Sequence, residues 1–193
     1  LSAELFRVAK DNCSLYVWCG IGEKSQSLIR WFPIFNKDWY FKDLITWKKQ
    51  RGIGMRKGWL YTREEIMWFV KDNKQFIWDI ENQYSTEKYD PLWAKRLKKE
   101  DFPYKRASNV WADIKEEGLS GLCGVKDYDK KNINHFTPKP LKALERIIKC
   151  HTKENDLILD CFAGSGSTGI AAKNLNRNYI LIEKDETYYN IIL

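Results

Sequence analysis

Clustered metal ligands, paired cysteines and long apolar runs are all missing from this chain. Its two histidines, His135 and His151, stand apart, and the five cysteines, Cys13, Cys19, Cys123, Cys150 and Cys161, show no paired spacing. That scatter argues against a zinc site and against a disulfide framework, and it fits reduced thiols in a cytoplasm. No stretch approaches the roughly 20 apolar residues of a membrane-crossing helix. No leader peptide is legible, so membrane is not an expected partner. Acid is absent from one local stretch. From Trp47 to Arg63 the chain carries Lys48, Lys49, Arg51, Arg56, Lys57 and Arg63 without a carboxylate, interleaved with Gly52, Gly54, Gly58, Trp59 and Tyr61.

What is present describes one α/β domain with a nucleic-acid bias. At 193 residues and 44% hydrophobic the chain can bury a sizeable core, and its net charge is +7. The basic stretch reads in two ways. As a phosphate-gripping loop, its cations neutralise a nucleic-acid backbone and its aromatics stack on bases; as a solvated hairpin, its Trp59 packs on the sheet. A second basic run, Lys95 to Lys99 with Lys105 and Arg106, is expected to be a solvated helix face. Nine tryptophans crowd the middle of the chain. Most are expected in the core.

The most specific signal lies near the C-terminal end. Leu157-Ile-Leu159 is apolar and closes on Asp160; Gly164 and Gly166 follow, and Ile170-Ala171-Ala172 with Leu175 continues at helical spacing. This predicts a strand, a tight loop and a helix. The glycines admit a positive φ and close approach of a ligand, and the first helical turn presents N–H groups to an anion. Tyr179-Ile-Leu-Ile-Glu183 reads as a second strand whose terminal carboxylate can accept two ribose hydroxyls. Gly164-Ser-Gly166-Ser-Thr-Gly169 also fits the dinucleotide pattern G-x-G-x-x-G, so NAD is one reading. Against it stand Asp160, placed to hold an ammonium, Phe162 ahead of the glycines, and only ten residues after Glu183. The other reading is S-adenosylmethionine, with Asp160 at the methionine ammonium, the glycine loop along the amino-acid portion and Glu183 at the ribose.

Just upstream, Pro140 suits a first helical position, and Leu141, Leu144, Ile147 and Ile148 share a face. With His135, Thr137, Lys139-Pro140, Asp160, Phe162, Gly164-Ser165-Gly166-Ser167, Glu183 and Tyr188 in this order, the chain resembles the DNA methyltransferases that modify adenine N6 or cytosine N4. The resemblance is to the permuted arrangement in which the cofactor motif comes last. It implies S-adenosylmethionine as cofactor, bound by Asp160, Phe162, Gly164, Ser165, Gly166 and Glu183, with Thr137 and Lys139 capping the methionine end. Lys139 has a plainer alternative as the lead-in to the helix. The resemblance further implies double-stranded DNA as substrate, adenine N6 before cytosine N4, no metal, and a bacterial or phage setting of restriction–modification type. It admits a homodimer and a cognate restriction endonuclease as partners.

The first half is compatible with the same family. Glu4 to Lys10 reads as the end of a helix, Leu15 to Cys19 as a buried strand, and Asp43 to Lys48 and Glu65 to Lys71 as two more strands. The implied fold is a Rossmann-like methyltransferase sheet, mostly parallel with an antiparallel edge strand, incomplete at its N-terminal side. Three segments are expected: 1–75, the distal half of the sheet with the basic loop; 76–134, an irregular insertion and candidate target-recognition segment; and 135–193, the cofactor half.

The family's catalytic loop, an Asp/Ser/Asn-Pro-Pro-aromatic tetrapeptide, does not occur in this sequence. Asp90-Pro-Leu-Trp93 and Asp101-Phe-Pro-Tyr104 each lack one proline and read as connecting segments. No catalytic residue is therefore expected here: the loop is expected upstream of Leu1, and the 193 residues alone are expected to be inactive. A truncated NAD-dependent oxidoreductase and a catalytically dead DNA-binding subunit are the alternatives.

Overall fold

The structure is a computed structural model that describes residues 1–22, 25–53, 59–116 and 139–192. It falls into two compact units, Leu1–Lys115 and Glu116–Leu193. In the first, the elements are α1 (Ser2–Val8), β1 (Ser14–Cys19), α2 (Ser27–Phe35), β2 (Tyr40–Ile53) and β3 (Tyr61–Val70), then β4 (Tyr84–Lys88), α3 (Pro91–Arg96), β5 (Tyr104–Arg106) and β6 (Val110–Trp111). In the second they are α4 (Leu141–His151), β7 (Leu157–Asp160), α5 (Ser167–Asn174), β8 (Asn178–Leu181) and α6 (Glu186–Ile192).

The larger sheet has the order β1-β3-β2-β6. Strand β3 is antiparallel to both β1 and β2, while β2 and β6 are parallel, so β3 alone runs against the others. It lies between two strands rather than at the edge. Its sequence explains the position: Ile66, Met67, Phe69 and Val70 are fully buried, a near-continuous apolar run suited to a strand covered on both faces. One face of the sheet meets the helices. Met67 and Phe69 join Cys19, Phe35 and Trp39 in a core against which Leu5 and Phe6 of α1 and Leu28 and Phe32 of α2 pack. On the other face Trp18 meets Trp47 edge-on, and Trp68 is sandwiched between Tyr16 and Trp78.

Part of the expected irregular insertion is ordered into this unit. Thr46 N–H donates to the Asn109 carbonyl at 2.8 Å, and Trp47 Nε1 donates to the Ile114 carbonyl at 2.9 Å. Asp90 caps α3, accepting from Leu92 N–H at 2.9 Å, with Pro91 opening the helix. Helix α2 was not legible, because Pro33 interrupts its pattern, yet it holds the buried Phe35 against the sheet.

Glu65 is a carboxylate at the sheet centre, only 2% exposed. Its oxygens take the Thr46 hydroxyl at 2.7 Å and the Arg63 guanidinium at 3.1 Å, so the buried charge is paired. Opposite it in register, the Cys19 thiol is pushed up to about 12, first by burial and then by the Glu65 charge.

In the second unit β7 and β8 are parallel, with Leu159 opposite Ile180 and Asp160 opposite Leu181. Helix α5 makes the crossover and lies close to the sheet because residue 169 is glycine. A Cβ there would stand 2.7 Å from Leu181 Cδ1 and 3.4 Å from the Tyr179 ring. Arg177 fastens the following turn to the end of α4, through Thr152 Oγ1 at 3.1 Å and the Thr152 carbonyl at 2.8 Å. His151, the last residue of α4, is buried at 7% exposure. Leu144, Ile148 and His151 recur at helical spacing, so the histidine belongs to the packed face of α4.

Candidate cofactor site and basic hairpin

Two carboxylates end up at one end of a parallel strand pair. Asp160 is the last residue of β7, and Glu183 follows β8 by two residues. The chain between them folds back so that Ala163 N–H donates to the Ile182 carbonyl at 3.1 Å, and Gly164 N–H donates to Glu183 Oε2 at 2.6 Å. The loop after β7 is thereby tied to the end of β8. Gly164 and Gly166 take φ of +51° and +78°, the left-handed region that costs a side-chain-bearing residue about 1–2 kcal/mol. A Cβ on Gly166 would also come within 3.3 Å of the Ile192 side chain of α6, a tight contact.

Each carboxylate is set by donors on the chain itself. Asp160 accepts from Phe162 N–H at 3.0 Å and from the Thr168 hydroxyl at 2.5 Å. Thr168 was not singled out from the sequence; its signal is the spacing of eight residues that brings the second position of α5 back over the strand end. Glu183 Oε1 accepts from the N–H groups of Lys184 and Asp185 at 2.8 and 2.9 Å. The Asp185 N–H first, then those of Gly164 and Lys184, hold the Glu183 carboxyl below the ordinary carboxylate range, against burial and the Asp185 charge. A carboxylate oxygen has two lone pairs, so Oε2, with one N–H donor, retains acceptor capacity.

The other sequence-predicted residues are placed as follows. Phe162 projects from the loop at 72% exposure. Ser165 is buried, its hydroxyl 3.3 Å from that of Ser167. Lys139 is half-buried and immediately precedes Pro140, which caps α4. Thr137 and His135 lie outside the described residues. Cys161, beside Asp160, has its thiol raised by burial and by the Asp160 charge.

In the basic hairpin β2–β3 the cations divide. Lys49 pairs with Glu64 across the strands and lies over the Trp47 ring, and Arg63 pairs with the buried Glu65. Lys48 is exposed, opposite Arg63 in register. The carboxylates missing from the local sequence thus come from the head of β3. Trp59 is 93% exposed and does not pack on the sheet. Arg56 and Lys57 lie outside the described residues, as does the Arg51 side chain.

A fold with this strand order and this loop invites comparison with known proteins, and the family model described as DNA methylase, of the N6/N4 type, matches residues 1–193. The chain belongs to the N6/N4 DNA methylase family. It is 34% identical over 167 residues to the type II methyltransferase M1.MboII of Moraxella bovis, covering 81% of this chain and 63% of that protein. To M.HpaI of Haemophilus parainfluenzae it is 29% identical over 187 residues, covering 96% of this chain and 54% of that protein. The chain therefore spans 54–63% of the length of these relatives. The crystal structure of the M1.HpyAVI–SAM complex superposes with a TM-score of 0.66 at 25% identity, over 99% of this chain and 78% of that one. The α/β methyltransferase fold expected from the sequence is thus the fold of this family member.

Proposed function

We propose that the protein transfers a methyl group from S-adenosylmethionine to an exocyclic amino nitrogen of a base in double-stranded DNA, adenine N6 before cytosine N4. One observation carries the reading: Asp160 and Glu183 stand at the same end of neighbouring parallel strands, with the loop that follows Asp160 bonded to Glu183 through the Gly164 N–H. Ligands of α/β sheets bind at the carboxyl ends of strands. Asp160, pinned by Thr168 and Phe162 N–H, is suited to the ammonium of the methionine portion. Glu183, ionised and with acceptor capacity left on Oε2, is suited to the ribose. Gly164, Ser165 and Gly166 shape the loop between them, Phe162 supplies an apolar face, and Thr137 and Lys139 close the methionine end. The cofactor supplies a sulfonium-activated methyl group; this chain's residues bind and orient it. The basic hairpin, through Lys48, Lys49, Arg51, Arg56, Lys57 and Arg63, grips DNA phosphates.

An exocyclic amino nitrogen is a weak nucleophile, so its hydrogens need acceptors that the absent Pro-Pro loop provides in this family's pattern. The 193 residues alone are accordingly proposed to be inactive, and the active protein to work in a bacterial or phage-infected cytoplasm beside a cognate endonuclease, with homodimerisation open to it. Calorimetric titration of the natural full-length polypeptide with S-adenosylmethionine and NAD, followed by tritiated methyl transfer to unmethylated DNA with nucleoside analysis, tests the reading. Binding of NAD alone, or turnover by the 193-residue chain, would contradict it.

A further inference from the structure

At 93% exposure, Trp59 is the most exposed of the large apolar side chains described, and Leu60 beside it is 62% exposed. Leaving an indole in water forfeits the burial that favours it in a core, so its position calls for an account. Two other exposed tryptophans have partners within the fold. Trp93 lies beneath the Arg96 guanidinium at 5.3 Å, and Trp78 stacks on Trp68 at 5.0 Å.

Topology says which way this pair points. Strands β1 and β2 run the same way, as both oppose β3, and they end at Cys19 and Ile53; β3 begins at Tyr61. Trp59 and Leu60 therefore stand at the carboxyl end of the parallel strands, the end where α/β sheets receive ligands. Their base is held: the position a Cβ would take on Gly22, just after β1, is 3.8 Å from the Tyr61 ring. The charge beside them is positive, with Lys48 exposed on the adjoining strand and a chain total of +7.

Resting on the reading of this hairpin as a DNA grip, we propose that Trp59, backed by Leu60, is a wedge that inserts at a base step of duplex DNA held through Lys48. An aromatic face stacks on any base, and apolar side chains entering a step unstack it and help a target nucleotide leave the helix. The phosphate contact and the wedge are separable, because only the first releases counterions.

The test is a fluorescence-anisotropy titration of the natural full-length polypeptide with a short mixed-sequence DNA duplex over a range of salt concentrations. Trp59→Ala is expected to weaken binding about 5- to 150-fold with an unchanged salt slope, and Trp59→Phe to retain most of the affinity. Lys48→Gln is expected to flatten the log–log salt slope by about one. In a duplex carrying 2-aminopurine, the wild type should brighten the probe and Trp59→Ala should not. If Trp59→Ala binds and brightens like the wild type while Lys48→Gln flattens the slope, the wedge is wrong and the phosphate grip stands. If Lys48→Gln leaves the slope unchanged, the grip through that residue is wrong, and loss of affinity and brightening in Trp59→Ala alone would still support the wedge. Circular dichroism superposable on the wild type removes misfolding as the cause.

Discussion

Asp160→Asn separates the folding role of this carboxylate from its proposed ligand role. In the structure Asp160 makes two bonds, to Phe162 N–H at 3.0 Å and to the Thr168 hydroxyl at 2.5 Å. An asparagine can keep both: its amide oxygen accepts from Phe162 N–H, while its NH₂ donates to Thr168 Oγ1, since a hydroxyl accepts as well as donates. What changes is charge. Trading charge-assisted for neutral hydrogen bonds at a half-buried site should cost folding about 1 kcal/mol or less. The proposed ammonium partner, in contrast, loses a charge-assisted bond of about 1.5–3 kcal/mol, which is about 10- to 150-fold in affinity. Calorimetry with S-adenosylmethionine and urea unfolding on the natural full-length polypeptide measure the two quantities side by side. Affinity within about twofold of the wild type, about 0.4 kcal/mol, would remove Asp160 from the ammonium site. A stability loss of about 3 kcal/mol or more would show that the carboxylate charge is needed by the fold itself, and that the amide exchange argued from Thr168 is wrong.

Two further outcomes follow from the same loop. Gly166→Ala should lower the unfolding free energy by about 1–2 kcal/mol from its φ of +78°, and urea titration giving no change would refute the conformational argument. Because the folded Glu183 pKa lies below the unfolded value of about 4.3, its stabilisation is complete above that pH and is lost as pH falls through the lowered folded value. The stability difference between wild type and Glu183→Gln, followed by urea titration, should therefore stay level down to about pH 4.3 and shrink below it; a difference that stays constant below about pH 4.3 would contradict the three N–H contacts.

Legibility followed sequence distance. The strand, loop, helix and strand from Leu157 to Glu183 could be read residue by residue because each step is local: an apolar run, glycines where φ turns positive, helical spacing, a second apolar run. Strands β1, β2 and β3 were also placed by their runs, but their order was not. Nothing in an apolar run names its partner, and that β3 inserts between β1 and β2 depends on both its faces being covered by elements from α1 to Ile114. The neutralised half of the basic hairpin was hidden for a related reason, since Lys49 and Arg63 look unpaired along the chain but meet Glu64 and Glu65 in three dimensions.

By itself the amino-acid sequence determined the family, the glycine loop and the pair of carboxylates, because these rest on residue types at short fixed spacings that backbone geometry converts directly into a strand-end turn. Tertiary structure decided which groups hold those carboxylates. The Thr168 hydroxyl and the Gly164 N–H reach them only once α5 and β8 have packed on β7, and a hydrogen bond, unlike a glycine turn, exists only where two separately positioned atoms come within about 3 Å.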